Sequence, residues 1–363
     1  MSASESLMVP ARNKTRQLMV GSVAVGGGAP VSVQSMCTTD TADAASTLEQ
    51  ILRFEEAGCE IVRVTVPKQA VLDSFQQICE QSPLPVVADI HFDYRLAIAS
   101  LERGASAVRI NPGNIGSMDK VDAVIDAAAQ KDSVIRIGVN AGSLAAEYDE
   151  RHDLELWEKL VASSVSFVEH FEARGFTNIV LSAKAHDVTT TVETYQALSR
   201  ELPQIPLHLG ITEAGTLRQG TVKSAAGLAI LLAQGIGDTL RVSLTADPVE
   251  ELHVGWEILQ ALGMRRRTPE LISCPTCGRT EVDLIGIAQE VDERLSKMRL
   301  PISVAVMGCV VNGPGEARGA DIGVACGKGQ GLIFVEGQTV RKVSEGEIVE
   351  ALFEEIDARF VQR

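Results

Sequence analysis

Basic side chains are in short supply in this 363-residue chain: 33 Lys and Arg stand against 48 Asp and Glu, a formal net charge of −15. A general nucleic-acid binder needs a basic surface to neutralise phosphates, so the deficit argues against that class. No apolar run approaches the ~20 residues that cross a bilayer. The opening stretch MSASESLMVPARNKTRQLMV lacks the apolar core of a secretory signal. No membrane association is expected, and the expected compartment is the cytoplasm. Aromatics are scarce at 4%, yet the hydrophobic share of 45% is ample for real cores. Histidine is scarce too, and none follows His253, which excludes Cys₂His₂ or Cys₃His zinc sites in the last hundred residues. Seven cysteines in a reducing compartment are not expected to form disulfides. Cys59 and Cys79, among apolar or helical neighbours, read as small hydrophobes, and no role follows for Cys37.

One rhythm runs from about residue 30 to 245. Short β-branched runs alternate with helical patterns: PVSVQSM (30–36), EIVRVTV (60–66), LPVVADIH (84–91), SAVRINP (106–112), SVIRIGVN (133–140), NIVLSAK (178–184), PLHLGIT (206–212) and DTLRVSL (238–244). Eight β/α units over this length fit one (β/α)₈ TIM barrel, an α/β fold. A doubly wound sheet is the runner-up, but it more often opens with a Gly-rich turn after its first strand, and none is present. The stretch before the first run reads as a β-hairpin at the barrel's bottom. The rhythm stops at GMRRRTPE (263–270), which divides the chain into a barrel domain, 1–264, and a smaller α+β domain, 265–363.

Barrel enzymes gather function at the C-terminal strand ends. Arg63, Arg109, Arg136 and Arg241 lie in or at the ends of predicted strands. An arginine inside a β-branched run is costly to bury without an anion. Each could pair with a nearby carboxylate. Four converging on one mouth point instead to a multiply anionic small ligand, most simply a diphosphate. Gln34, Ser35, Asp89, His91, Asn111, Asn114, Asn140, Ser182, His208 and Ser243 add polar groups at the same ends. Lys184 on the sixth strand reads as a phosphate ligand, with a Schiff-base role as the alternative. Glu213, in GITEAGT, reads either as a group for proton transfer or as an ion-pair partner of Lys223 or Arg218.

In the second domain LISCPTCGRT spaces Cys274 and Cys277 as C-x-x-C, and Cys309 follows in VMGCVVNGPGEARG. Zinc, iron–sulfur and dithiol chemistry all fit such a pair. The fourth ligand is open between Cys326, within an apparent strand, and Glu316, beyond the tight turn NGPG.

The blocks SCPTCGRTEVDL and VAVMGCVVNGPGEARGADIG, with VQSM, ADIHFDYRLA, RINPGNIG, IRIGVNAGSL, HLGITEAG and DTLRVSLTADP, resemble the 4-hydroxy-3-methylbut-2-en-1-yl diphosphate synthase family from about residue 12 to 355. The chain lacks the large insertion of plant-type members and is similar to the compact bacterial form. The resemblance implies a [4Fe–4S] cluster held by Cys274, Cys277, Cys309 and Glu316, with Cys326 structural. It implies the isoprenoid precursor reaction of the non-mevalonate pathway: two-electron reductive ring opening and dehydration of 2-C-methyl-D-erythritol 2,4-cyclodiphosphate. Electrons come from flavodoxin or ferredoxin. Active sites are shared across a homodimer, the cluster domain of one chain capping the barrel of the other. Arg63, Arg109, Arg136, Lys184, Lys223 and Arg241 then cradle the diphosphate. Asp89, His91, Asn111, Asn140 and Ser243 hydrogen-bond the substrate, Glu213 handles protons, and Glu316 holds its iron loosely enough to release it. Two other readings compete: a non-redox phosphosugar or pterin-type barrel with a structural zinc tail, and a metal-dependent binding module without catalysis.

Overall fold

The computed structural model describes residues 12–144, 146–309, 315 and 319–361. They divide into two compact units, Met1–Met264 and Arg265–Arg363.

The first unit opens with a hairpin of β1 (Leu18–Val20) and β2 (Val23–Val25). Eight parallel strands follow: β3 (Ser32–Met36), β4 (Ile61–Thr65), β5 (Val86–Asp89), β6 (Ala107–Ile110), β7 (Val134–Asn140), β8 (Ile179–Lys184), β9 (His208–Leu209) and β10 (Thr239–Leu240). Their order is β8-β7-β6-β5-β4-β3-β10-β9. The Leu181–Leu207 bridge joins the two ends and closes the barrel, which rules out a doubly wound sheet. The last two strands are shorter than their apolar runs. Arg241 N–H still donates to Leu209 O (3.0 Å), but the regular ladder ends at Gly210, where Arg241 O and Lys184 approach too closely for any Cβ.

Helices return the chain between strands. Ala44–Ala57 is typical: the Asp43 carboxylate caps it at Ser46 N–H, its Thr47, Ile51 and Phe54 stripe faces the strands, and Gly58 ends it at φ +94°. The hairpin closes the barrel floor, as its apolar alternation suggests. Leu18, Val20 and Val25 pack on the first residues of the strands, including Ile61, Val87, Ala107, Val134 and Val180.

The second unit is a five-stranded sheet in the order β11 (Glu270–Ser273), β12 (Ser303–Met307), β13 (Ile322–Gly327), β14 (Gln330–Val335) and β15 (Gln338–Ser344). The first three are parallel and the last two antiparallel. Helices Leu284–Leu295 and Ile348–Ile356 bury Val291, Leu295, Ile348 and Leu352 against Val304, Val306, Val324 and Ile333. The sequence reading missed the edge strands β11 and β15; on β15, QTVRKVS exposes nearly every side chain and carries no apolar alternation. Among the described residues no helix is long and apolar enough to cross a membrane.

Candidate active site

Asp89, Arg109 and Arg136 are register partners on β5, β6 and β7. Strands in a barrel tilt, so such a row climbs or descends along the axis. Asp89 and Arg109 accordingly line the mouth, whereas Arg136 lies deeper. Alternation brings Gly138 and Asn140 to the lumen above Arg136. Gly138 is essential space: a Cβ there would sit 2.4 Å from Arg109 Nε. Arg109 instead donates to Gly138 O (3.4 Å), and the Asn140 amide, oriented by its neighbours, accepts from Arg109 Nη2 (2.9 Å).

The mouth encloses about 230 Å³. Arg63, Asp89, His91, Arg109, Asn140, Lys184, Arg241 and Ser243 line it, joined by Met36, Ser182, Ile211 and Thr212. Asp89 is shared: Arg109 Nη1 lies 3.3 Å from one oxygen and Arg63 Nε 3.7 Å from the other. His91 Nε2 is 3.9 Å from the same carboxylate. Burial pushes Asp89 up, but Arg63, Arg109, Arg136 and His91 outweigh it and bring the group to about 2. Arg63 also donates to Met36 Sδ (2.7 Å), and burial lowers it to about 10.

Arg241 has a partner that the sequence reading did not single out. Glu251, 3% exposed, accepts from Arg241 Nε (3.1 Å) and Nη2 (3.0 Å), from Leu244 N–H (3.0 Å) and from Ser35 Oγ (3.3 Å). The signal was present. On helix Pro248–Ala261, Glu251 shares a face with buried Val254, Gly255 and Ile258 at i+3, i+4 and i+7, where a carboxylate needs a reason to be. Glu251→Gln leaves Arg241 without its charge partner. It is expected to cost roughly 2–4 kcal/mol, near the range for breaking buried pairs, read by denaturant unfolding; a loss under about 0.5 kcal/mol would show that the pair does not hold Arg241.

Below the mouth, Arg136 Nη1 donates to Gln34 Oε1 (2.5 Å) and makes no salt bridge to a carboxylate among the described residues. Burial, then Arg63 and Arg109, push it well below the ordinary range. His208 beside it is fully buried; burial, then Lys184 and Arg136, hold its ring neutral. Counting Arg63, Arg109, Arg136 and Arg241 against Asp89 and Glu251, formal positive charge exceeds negative by two, before the Lys184 amine is considered. A chain of net charge −15 has concentrated uncompensated cations in its barrel.

Other sequence candidates fall elsewhere. Asn111 is buried and fully engaged: its amide donates to Ser143 O (2.9 Å) and its oxygen caps Gly113 N–H (3.2 Å). This is the Asx turn that Asn-Pro-Gly favours, and it does not line the mouth. Asn114 is also absent from the lining. Lys223 is exposed on helix Leu217–Leu232, at the edge of the face that buries Gly220 and Gly227, and is absent from the lining of the mouth. Glu213 is exposed in the loop after β9, next to Thr212 of the lining, and forms no ion pair with Arg218 or Lys223. Its φ of +52° is rare for a non-glycine residue and marks a constrained position.

In the second unit, parallel pairing of Ser273 with Val306 sets two strand ends side by side. Cys274 and Cys309 leave from those ends, and Gly308 N–H donates to Cys274 Sγ (3.3 Å). A Cβ on Gly308 would lie 2.7 Å from Leu284 and 3.3 Å from Thr280, so glycine lets the Cys309 loop reach the turn bearing Cys277. Cys277 N–H donates to Thr280 Oγ1 (3.2 Å), and Thr280 N–H to Cys277 O (3.0 Å). Hydrogen bonds from Arg279 lower the exposed Cys277 thiol, which favours thiolate. Cys326 on β13 is the opposite case: burial pushes it to about 12. Among the described residues no three His, Cys, Asp or Glu side chains converge as a single ion requires. A cluster binds each ligand at its own iron, so thiols on adjacent loops with an N–H···S contact fit that group. Glu316 lies outside the described residues.

The GcpE TIM-barrel domain model matches residues 15–256, and the GcpE protein C-terminal domain model matches 270–358. A Geobacter sulfurreducens protein named 4-hydroxy-3-methylbut-2-en-1-yl diphosphate synthase (flavodoxin) is 54% identical over 344 residues, covering 95% of this chain and 97% of that relative. Proteins of the same name from Clostridium acetobutylicum and Lysinibacillus sphaericus are 53% and 52% identical over 346 residues. Both alignments cover 95% of this chain, and 99% and 93% of those relatives.

Proposed function

Because the chain belongs to the GcpE family, whose relatives above are named 4-hydroxy-3-methylbut-2-en-1-yl diphosphate synthases, we propose that its barrel mouth binds 2-C-methyl-D-erythritol 2,4-cyclodiphosphate. The chain is an oxidoreductase that opens this ring reductively and dehydrates it to 4-hydroxy-3-methylbut-2-enyl diphosphate, an isoprenoid precursor. The observation that carries the substrate reading is the excess of lumen cations over Asp89 and Glu251. A cyclic diphosphate supplies the missing anions, and guanidinium forks suit its oxygens.

The reaction takes up two electrons and two protons and releases one oxygen as water. Cys274, Cys277, Cys309 and Glu316 would hold a [4Fe–4S] cluster, which would supply the electrons, drawn from flavodoxin, with ferredoxin as the alternative donor. Arg63 and Arg109, aimed by Asp89, and Arg241, aimed by Glu251, hold the diphosphate. Lys184 adds a donor from β8, and Arg136 adds positive potential from beneath. Asn140, Ser243 and His91 hydrogen-bond the bound molecule at the rim. Glu213 moves a proton at the departing oxygen. The same proposal includes a cytoplasmic homodimer in which each active site is shared.

The test is anaerobic turnover of the cyclodiphosphate by cluster-loaded protein with a strong reductant. Absence of the enyl diphosphate product would overturn the assignment. Glu213→Gln is expected to lower kcat by about 10²–10⁴, the usual worth of a positioned proton donor, with KM changed only a few-fold. Turnover at the parent rate by a fully loaded variant would remove Glu213 from proton transfer.

A further inference from the structure

Lys184 closes β8 with its amine facing the cavity, and its tail lies over the neighbouring strand at Gly210, where a Cβ would sit 2.8 Å from Nζ. Both lumen carboxylates are committed elsewhere. Asp89 is divided between Arg63 and Arg109, and Glu251 holds Arg241 through two nitrogens. No hydrogen bond or ion pair engages Lys184 Nζ among the described residues. A half-buried ammonium facing arginines and lacking an anion is electrostatically unfavourable, and an amine can relieve this by shedding its proton, as a guanidinium does not readily do.

We propose that the barrel mouth is a phosphate-directed imine-forming site, in which the lumen arginines bind the phosphate of a small phosphorylated aldehyde or ketone and Lys184 Nζ condenses with its carbonyl. The nitrogen lone pair forms the C–N bond. The carbonyl oxygen leaves as water with both amine protons, and a C=N bond remains, so no oxidant or reductant is consumed. Burial, then Arg136, Arg63, Arg241 and Arg109, hold the amine well below the ordinary lysine range, which raises the fraction that carries a free lone pair. The proposal rests on the anion-pocket reading above and adds a second ligand class, carbonyl compounds, to it.

The experiment treats anaerobic, cluster-loaded protein at pH 7 with glyceraldehyde 3-phosphate and sodium cyanoborohydride, which fixes an imine as a stable amine. Peptide mass spectrometry locates the adduct. Expected is at least a tenfold preference for Lys184 over the exposed Lys131, Lys223 and Lys328, lost with unphosphorylated glyceraldehyde and blocked by pyrophosphate. Lys184 labelling should reach half-maximum at lower pH than labelling of those surface lysines. Equal labelling at all four, or indifference to the phosphate, overturns the imine site. Calorimetry with pyrophosphate separates the two readings: binding without a Lys184 adduct sinks only the imine, while no pyrophosphate binding sinks the anion pocket as well.

Discussion

Cys309→Ala is expected to yield colourless protein without iron or acid-labile sulfide, and turnover at least about 100-fold below the parent, beyond the ~10–100-fold typical of losing an outer-shell partner. Cys309 is the thiol that leaves from β12, whereas Cys274 and Cys277 share the loop after β11. Losing it removes the anchor on one side and leaves two thiols on a single loop. The barrel belongs to a different compact unit, so pyrophosphate affinity should be unchanged, and that serves as the check on folding. Cys326→Ala is the matched control. Its thiol is fully buried on β13, pushed to about 12, and packs in the apolar core of the sheet. The control should keep full iron and turnover while losing roughly 1–2 kcal/mol of stability to the small cavity. Full iron retention in Cys309→Ala, or iron loss in Cys326→Ala, would sink this division of the cysteines.

The sequence exposed the barrel because each strand is buried on both sides and therefore reads as a β-branched run. It exposed the lumen arginines for the same reason: charge inside such a run has few explanations. Polar residues at strand ends were harder, since a side chain there can face the lumen or serve its own loop. Asn111 went to the loop because Pro112 and Gly113 build a turn that its amide caps. Depth was hidden as well. Arg136 shares a register row with Arg109, yet barrel tilt places it beneath the mouth, a relation no one-dimensional pattern records. Glu251 was hidden beside Glu250, and only the helical face separates the buried carboxylate from its half-buried neighbour. The edge strands β11 and β15 were illegible because edges are kept polar or short.

Asp89→Asn carries the largest expected effect on the barrel itself. Asparagine keeps the shape but removes the charge that Arg63 and Arg109 share, with Arg136 below and Arg241 across the mouth. Breaking a buried pair costs about 3–5 kcal/mol; the cavity admits solvent, so roughly 2–4 kcal/mol is expected at pH 7. The pH dependence has a definite sign. Folding lowers Asp89 from 3.8 to about 2, so its contribution is full above the ordinary carboxylate value and is lost as pH falls through 2. The shift corresponds to about 2 kcal/mol. The stability gap between parent and variant should therefore be flat from pH 5 to 8 and shrink below pH 4. Pyrophosphate should raise the melting temperature of the variant more than that of the parent, because a bound anion replaces the missing carboxylate. Its turnover should nevertheless fall, since Arg63 and Arg109 lose the group that aims them. A gap under 0.5 kcal/mol at pH 7, or equal stabilisation of both proteins by pyrophosphate, would show that Asp89 does not balance the lumen cations.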